Sequence, residues 1–365
     1  LGGRNLWIDS EVTTSGTVVV ETLSSGHITG QTSCYRIENN GTLTFNIEPN
    51  FSPRLMRNVT LSAWVKYDNV VEGTNSWNKF NIFKHGLSYK NSTTGSTTST
   101  IDYVTLGSGV GTSDWKYVTY TRDYTKSGYD QLKTTLRFNI ESATSGTAWV
   151  TGVKVEFGNK ASDWSPAPED VNSNINDVKN SLNSFQNTVN TSFKDGIVEQ
   201  AEAKAIAQHL KTLDAEKADI DKEYSTIYSN ANLTGSAKTN LASAKTSFDS
   251  AHTSLKSTIN TVISDGRVTS SESASVTSTF NTYNTQLGTY KQRAQEALDA
   301  ISSTKVDNVQ VGGRNLARQS HQFYRGNGAT GITSVLNSDG SISVTASSGN
   351  ENWFTGFIMT SVGID

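Results

Sequence analysis

Apolar residues in this chain repeat with two different periods, and the change falls within one short segment, Trp164-Ser-Pro-Ala-Pro-Glu169. Upstream the pattern alternates. In Thr60–Lys66, Leu61, Ala63 and Val65 share one face while Ser62, Trp64 and Lys66 share the other. In Leu136–Glu141, Leu136, Phe138 and Ile140 oppose Arg137, Asn139 and Glu141, and Val153, Val155 and Phe157 form a third apolar set. A period of two belongs to a half-buried strand. Many short runs of this kind, separated by Gly, Asn and Ser clusters and by no helical interlude, predict an antiparallel β-sandwich. Pro166 and Pro168 punctuate its end.

Downstream the period is helical. Val171, Ile175, Val178, Leu182, Phe185 and Val189 recur at 4-3-4-3-4 spacing, a heptad seam. Ile206, Leu210, Leu213, Ile220, Tyr224 and Ile227 outline a second helix, and Leu241 to Val262 carry a third stripe. Val276, Phe280, Tyr283, Leu287, Tyr290, Ala294, Ala297 and Ile301 form a fourth, opened by a capping box at Thr269-x-x-Glu272. Helices with one apolar stripe pack on one another or on partner chains, so the segment reads as a helical bundle or stalk. Its heptads lead to an expectation of a homo-oligomer, with a trimer as one form.

Two internal repeats set the layout. Asp195-Gly-Ile-Val-x-x-x-Glu202 recurs as Asp265-Gly-Arg-Val-x-x-x-Glu272, each between two helices. Gly2-Gly-Arg-Asn-Leu6 recurs as Gly312-Gly-Arg-Asn-Leu316, so a second sandwich is expected to open there and to stop unfinished at Asp365. The fold class expected is therefore multi-domain β plus α: a sandwich over 1–165, a helical bundle or spacer over 166–305, and a truncated second sandwich over 306–365. A chain that opens on Leu1 reads as a segment of a longer polypeptide.

Composition narrows the function classes. Net charge is -3 and basic residues do not cluster, which argues against nucleic acid as a partner. No stretch approaches the roughly 20 apolar residues of a membrane span. Seven Trp and an aromatic content of 9% argue against disorder despite only 18% charged residues. The single cysteine, Cys34, excludes an intramolecular disulfide and a cysteine-based zinc site, and reads as a strand residue.

The motifs at the two ends of the first module resemble a known family. Gly2-Gly-Arg-Asn-Leu6, Leu61-Ser-Ala-Trp-Val-Lys66, Asp114-Trp115 and Val153-Lys-Val-Glu-Phe-Gly-x-x-Ala-Ser-Asp-Trp-Ser-Pro-Ala-Pro-Glu169 together resemble modules of tail-fibre and minor structural proteins from phages and prophages of Gram-positive hosts. Those modules are similar to jelly-roll carbohydrate-binding modules of glycosidases. The resemblance implies a jelly roll in a non-catalytic virion tail component, made in the bacterial cytoplasm and working outside the host. Its implied partners are a host cell-wall polysaccharide or surface glycan and other tail proteins. The alternatives are a purely structural fibre spacer, the binding part of a tail-associated cell-wall hydrolase, or a bacterial surface adhesin.

The residues themselves carry little bond chemistry. The Asp-Gly repeats match the second half of an EF-hand loop, but Thr191, Phe193, Thr261 and Ile263 stand where acidic ligands belong, so an interhelical turn is the expected reading and no metal or cofactor is assigned. The five histidines form no zinc-binding spacing, and no Gly-x-Ser-x-Gly elbow occurs. Glu141 and Glu156 are strand carboxylates read as solvated, and no enzyme activity is expected. Sugar binding asks for flat aromatics beside amide, carboxylate and guanidinium groups on one sheet face. The candidates are Trp64, Trp77, Tyr89, Tyr103, Arg137, Asn139 and Glu141, with Trp64 joining the Arg137 row if their strands share a sheet. Arg4 is expected to tie down the opening segment rather than to touch ligand.

Overall fold

A computed structural model describes residues 3–23, 30–47, 57–99, 102–308, 332–336 and 342–346. The chain divides into two compact units, 1–308 and 309–365.

In the first unit the strands run β1 (Thr13–Ser15), β2 (Val18–Thr22), β3 (Ser33–Glu38), β4 (Thr42–Asn46), β5 (Asn58–Val71), β6 (Phe80–Leu87), β7 (Tyr89–Lys90), β8 (Asp102–Gly109), β9 (Gly111–Asp123), β10 (Gln131–Leu132), β11 (Thr135–Ile140) and β12 (Ser145–Phe157). They build two antiparallel five-stranded sheets, ordered β1-β4-β11-β6-β8 and β2-β3-β12-β5-β9, with β7 and β10 paired apart. Successive strands repeatedly change sheet, as β3, β4, β5 and β6 do, which gives the sandwich a jelly-roll character. Between the sheets lie Leu61, Ala63, Val65, Leu136, Phe138, Ile140, Val150 and Val155, all 2% exposed or less, on the faces that alternation assigns to them.

The paired end motifs of the sandwich have a physical reason to occur together. Asn5 donates from Nδ2 to Val153 O and Ser165 O at 3.0 and 3.1 Å. Its Oδ1 accepts from the Trp7 and Val155 backbone N–H groups. Leu6 N–H donates to Val155 O at 2.8 Å, and Arg4 pairs with Glu169. Opening and closing segments thus share one set of bonds around a buried amide. Lys154 and Glu156, buried on the outer side of β12, are bonded by the closing segment through Ser162 and Asp163. Glu156, read from sequence as solvated, is completely buried, because the turn after β12 folds back over it.

Four helices follow: α1 (Pro168–Ser192), α2 (Gln200–Ser229), α3 (Gly235–Val262) and α4 (Ser270–Asn308). Pro168 opens α1, where its missing N–H costs nothing. Of the stripe residues named for the first two helices, all are buried except Tyr224, which is partly so, and those of α3 and α4 are all buried. The stripes meet one another inside one chain. The heptad seam on which self-association was expected is therefore filled intramolecularly.

The Asp-Gly repeats join α1 to α2 and α3 to α4, and they pair with each other. Val198 N–H donates to Gly266 O, and Val268 N–H donates to Gly196 O, both at 2.9 Å, around an antiparallel bridge between Ile197 and Arg267. Gly196 and Gly266 adopt φ of +76° and +74°, a region that favours glycine. Glu202 accepts from Glu199 N–H, and Glu272 from Thr269 N–H and Oγ1. The carboxylates that would complete a calcium loop serve as helix caps instead. Among the described residues no helix is long and apolar enough to cross a membrane.

In the second unit Ile332–Leu336 and Ile342–Ala346 form an antiparallel pair. The second Gly-Gly-Arg-Asn-Leu motif, on which a second sandwich was expected, lies outside the described residues.

Candidate functional site

The outward face of the β1-β4-β11-β6-β8 sheet gathers most of the polar groups that sequence singled out. On β11, Arg137 and Asn139 alternate with the core residues Leu136, Phe138 and Ile140 and so point away from the core. Arg137 stands in register with Thr44 and Lys84, and Asn139 with Thr42 and Asn81. Strict alternation would send Asn81 and Lys84, three residues apart, to opposite faces. An irregularity of register at this point, with Phe83 at φ +51°, places Ile82 and Phe83 both in the core and returns Lys84 to the outer face.

Asn81, Asn139, Lys84 and Glu141 form one network. Asn81 Nδ2 donates to Asn139 Oδ1 at 3.1 Å, Asn139 Nδ2 donates to Glu141 Oε2 at 3.3 Å, and Lys84 pairs with the same Glu141 oxygen. Arg137 Nε donates to Thr135 Oγ1 at 3.1 Å. Exposed aromatic residues lie at both ends of the row. Asn81 also donates to the Trp77 carbonyl at 3.0 Å, which tethers the loop carrying Trp77, and that residue is 50% exposed. Tyr103, 62% exposed, lies opposite Gly86 on β6. From Asn81 to Gly86 β6 advances by roughly 16 Å, at ~3.3 Å per residue.

His85 is turned inward. Its Nδ1 meets Phe83 O at 2.9 Å and its Nε2 meets Tyr124 Oη at 2.8 Å, and burial lowers its pKa to about 4. It is a neutral core histidine.

Two sequence candidates lie elsewhere. Trp64 is on β5, which pairs with β12 and β9 in the opposite sheet. There it packs against Tyr117 with ring centroids 5.6 Å apart. The condition that would join it to the Arg137 row, a shared sheet, is not met. Tyr89 is on β7, buried beside Tyr129 with Lys126 over its ring, and presents no open face. Asn139 is itself 5% exposed, so its amide orients Asn81 and Glu141. Sequence reading missed Asn81 and Lys84; the only local signal was the break in alternation at Ile82-Phe83, and the side chains they meet, Asn139 and Glu141, are more than fifty positions away.

On the opposite sheet Lys66 sits over the Trp149 ring at 5.3 Å, and Trp149 Nε1 donates to Glu21 at 3.0 Å. Cys34 on β3 is buried, and desolvation pushes its thiol up to about 11, which makes it a poor nucleophile. Among the described residues no cluster of His, Cys, Asp or Glu could hold a metal ion.

No family model matches the chain, and no curated protein matches it. Solved structures do match. TmCBM61 in complex with β-1,4-galactotriose is 13% identical over 43% of this chain and 99% of its own, with a TM-score of 0.25. The N-terminal cellulose-binding domain of β-1,4-glucanase C from Cellulomonas fimi is 12% identical over 35% of this chain and 80% of its own, with a TM-score of 0.22. A Stig cyclase from Fischerella sp. TAU is 13% identical over 42% of this chain and 89% of its own, with a TM-score of 0.26. Binding modules and an enzyme stand side by side at these scores, and the likeness carries no argument about activity.

Proposed function

We propose that the outward face of the β1-β4-β11-β6-β8 sheet binds a saccharide and carries out no bond chemistry. The observation that carries this reading is the row itself: Trp77 and Tyr103, each at least half exposed, flank tied amide, ammonium, guanidinium and carboxylate groups. Aromatic faces accept the C–H side of a pyranose, and the polar row accepts its hydroxyls. Ordering these side chains before the ligand arrives reduces the entropy lost on binding.

In this reading the chain is a component of a phage tail that meets a host cell-wall polysaccharide or surface glycan, alongside other tail proteins, and acts in the virion outside the cell. Binding at each face is weak and is strengthened when several copies are presented together. A homo-oligomer, the trimer included, would have to use surfaces other than the filled helical seam.

Titrating the chain with host wall polysaccharide tests the proposal. Tyr103→Ala and Trp77→Ala should each weaken binding by about 0.5–1.5 kcal/mol, the scale of an aromatic contact, while Trp64→Ala leaves it unchanged. Equal affinity in Tyr103→Ala, Trp77→Ala and the unaltered chain would refute the assignment.

A second reading, a structural spacer, is favoured by the ties between sandwich and helices. Asp170 accepts from the Asp9 and Ser10 N–H groups, and Thr226 Oγ1 donates to Gly30 O. Such a joint holds a fixed angle. Absence of any glycan binding with the fold intact would favour it.

A further inference from the structure

A cleft opens between the sandwich and helices α1 and α2, away from the sheet face described above. Its larger part holds about 580 Å³, and a recess of about 220 Å³ runs toward β3 and β12. Asp9, Gly30, Thr32, Trp164 and Asp170 line both. The walls are pinned together. Thr226 Oγ1 donates to Gly30 O at 2.9 Å, and Asp170 accepts from Asp9 and Ser10 N–H at 3.0 and 2.8 Å. A Cβ on Gly30 would stand 3.1 Å from Thr226 Cγ2, so the approach at this point is close. The cleft is part of the folded unit.

Its lining is predominantly acidic. Asp9, Asp170, Asp177, Glu216, Asp219 and Glu223 face it, and Lys222 is the single basic residue among the described lining residues. No group of these carboxylates converges closely enough to hold a metal ion, so they are spread for something larger. A second, independent feature lies in the recess. Gln31 is 9% exposed, and neither its Nε2 nor its Oε1 has a partner. Gly152, at φ +57°, makes room for that amide; a Cβ there would lie 3.1 Å from Gln31 Cδ. A buried amide with both donor and acceptor unmet is a group awaiting a polar partner. Between the two features stands Trp164, its indole held by a 3.1 Å bond from Nε1 to Val153 O.

We infer that this cleft binds a small organic ammonium ligand that also carries hydroxyl groups, the class to which amino sugars belong. The ammonium lies among the carboxylates of α1 and α2, a hydroxyl meets the Gln31 amide, and the ring of the ligand lies beside the Trp164 indole. Burial raises Asp9, Asp170 and Glu216 and pushes Glu223 up to about 7, an electrostatic strain that an entering cation relieves. The site shares no residue with the sheet face and does not rest on that reading.

Calorimetric titration of the full chain with D-glucosamine and with N-acetyl-D-glucosamine tests it, because the second probe keeps the ring and loses the ammonium. D-glucosamine should bind at least about tenfold more tightly, a difference of about 1.4 kcal/mol. Glu223→Gln and Gln31→Leu should each weaken it by a similar factor. Asp219→Asn, on an exposed part of the wall, should weaken it by about threefold, and it supplies the test if a buried variant does not fold. Tyr103→Ala should leave it unchanged, which separates this site from the sheet face. Equal affinity for the two sugars, no binding of D-glucosamine at millimolar concentration, or full affinity in Asp219→Asn and Glu223→Gln would overturn the inference.

Discussion

The sandwich and the helical bundle of the first unit use polar residues in opposite ways. In the bundle the core is an apolar stripe from each helix, and its ionic contacts lie beside that stripe, as in the square of Lys217, Asp221, Lys245 and Asp249 that joins α2 to α3, in which Lys245 is buried. In the sandwich polar groups are structural: Asn5, Asn81, Asn139, Lys154 and Glu156 are all buried and bonded, outside the apolar layer between the sheets. The difference follows from geometry. A helix satisfies its own backbone and needs only a side-chain stripe, whereas a sandwich has ends and edges where backbone groups need partners from elsewhere in the chain. One of those ends is where Arg4, Asn5 and Leu6 lie.

Removing core volume from the bundle should have the largest effect. Phe248, fully buried against Tyr283 and Tyr290, should cost about 3–5 kcal/mol as Phe248→Ala, measured by denaturant unfolding. In the sandwich a polar residue should come close to this: Asn5→Ala leaves two carbonyls and two N–H groups without their partner and should cost about 3 kcal/mol. A near-neutral Asn5→Ala would break the comparison.

Buried histidines and a buried carboxyl should respond oppositely to pH. His85 in the sandwich has a folded pKa of about 4, below its ordinary 6.5, so the unfolded chain binds the proton more tightly. Its contribution is complete above about pH 6.5 and is lost as pH falls toward 4. His252 on α3, also lowered by burial, acts in the same direction. Glu223 on α2 is raised from 4.5 to about 7, so its contribution is complete below about 4.5 and is lost as pH rises through 7. Glu223→Gln should therefore raise the melting temperature at pH 8 and change it little at pH 4.5, whereas His85→Gln should flatten the acid limb. Thermal melts across that range decide the matter; an unchanged alkaline limb in Glu223→Gln would remove that carboxyl from the account. The smallest effect belongs to a cap: Thr269→Ala loses the reciprocal bonds with Glu272 and should cost about 1 kcal/mol.

Much of the bundle was legible in advance. The α4 stripe from Val276 to Ile301 is buried residue for residue, and the cap at Thr269 lies where its spacing placed it. The sandwich was legible as alternation, so Leu61, Ala63 and Val65 fall inside. The candidate site was half legible. Arg137, Asn139 and Glu141 share a face because they alternate along one strand, but nothing local says that β11 neighbours β6 rather than β5. For that reason alternation alone left open whether Trp64 shares a sheet with Arg137, and it gave no sign that Asn81 and Lys84 join the row.

By itself, then, the order of residues determined where strands give way to helices, which side of each is apolar, and which motifs recur, because these depend on spacings of two to four positions along one backbone. Only the tertiary structure decided which strands are neighbours, that the two Asp-Gly turns bond to each other, and that Gln31 is buried without a partner beside an acid-lined cleft. Strand pairing and domain docking join residues tens to hundreds of positions apart, and their free energy is a sum over contacts that no local pattern contains.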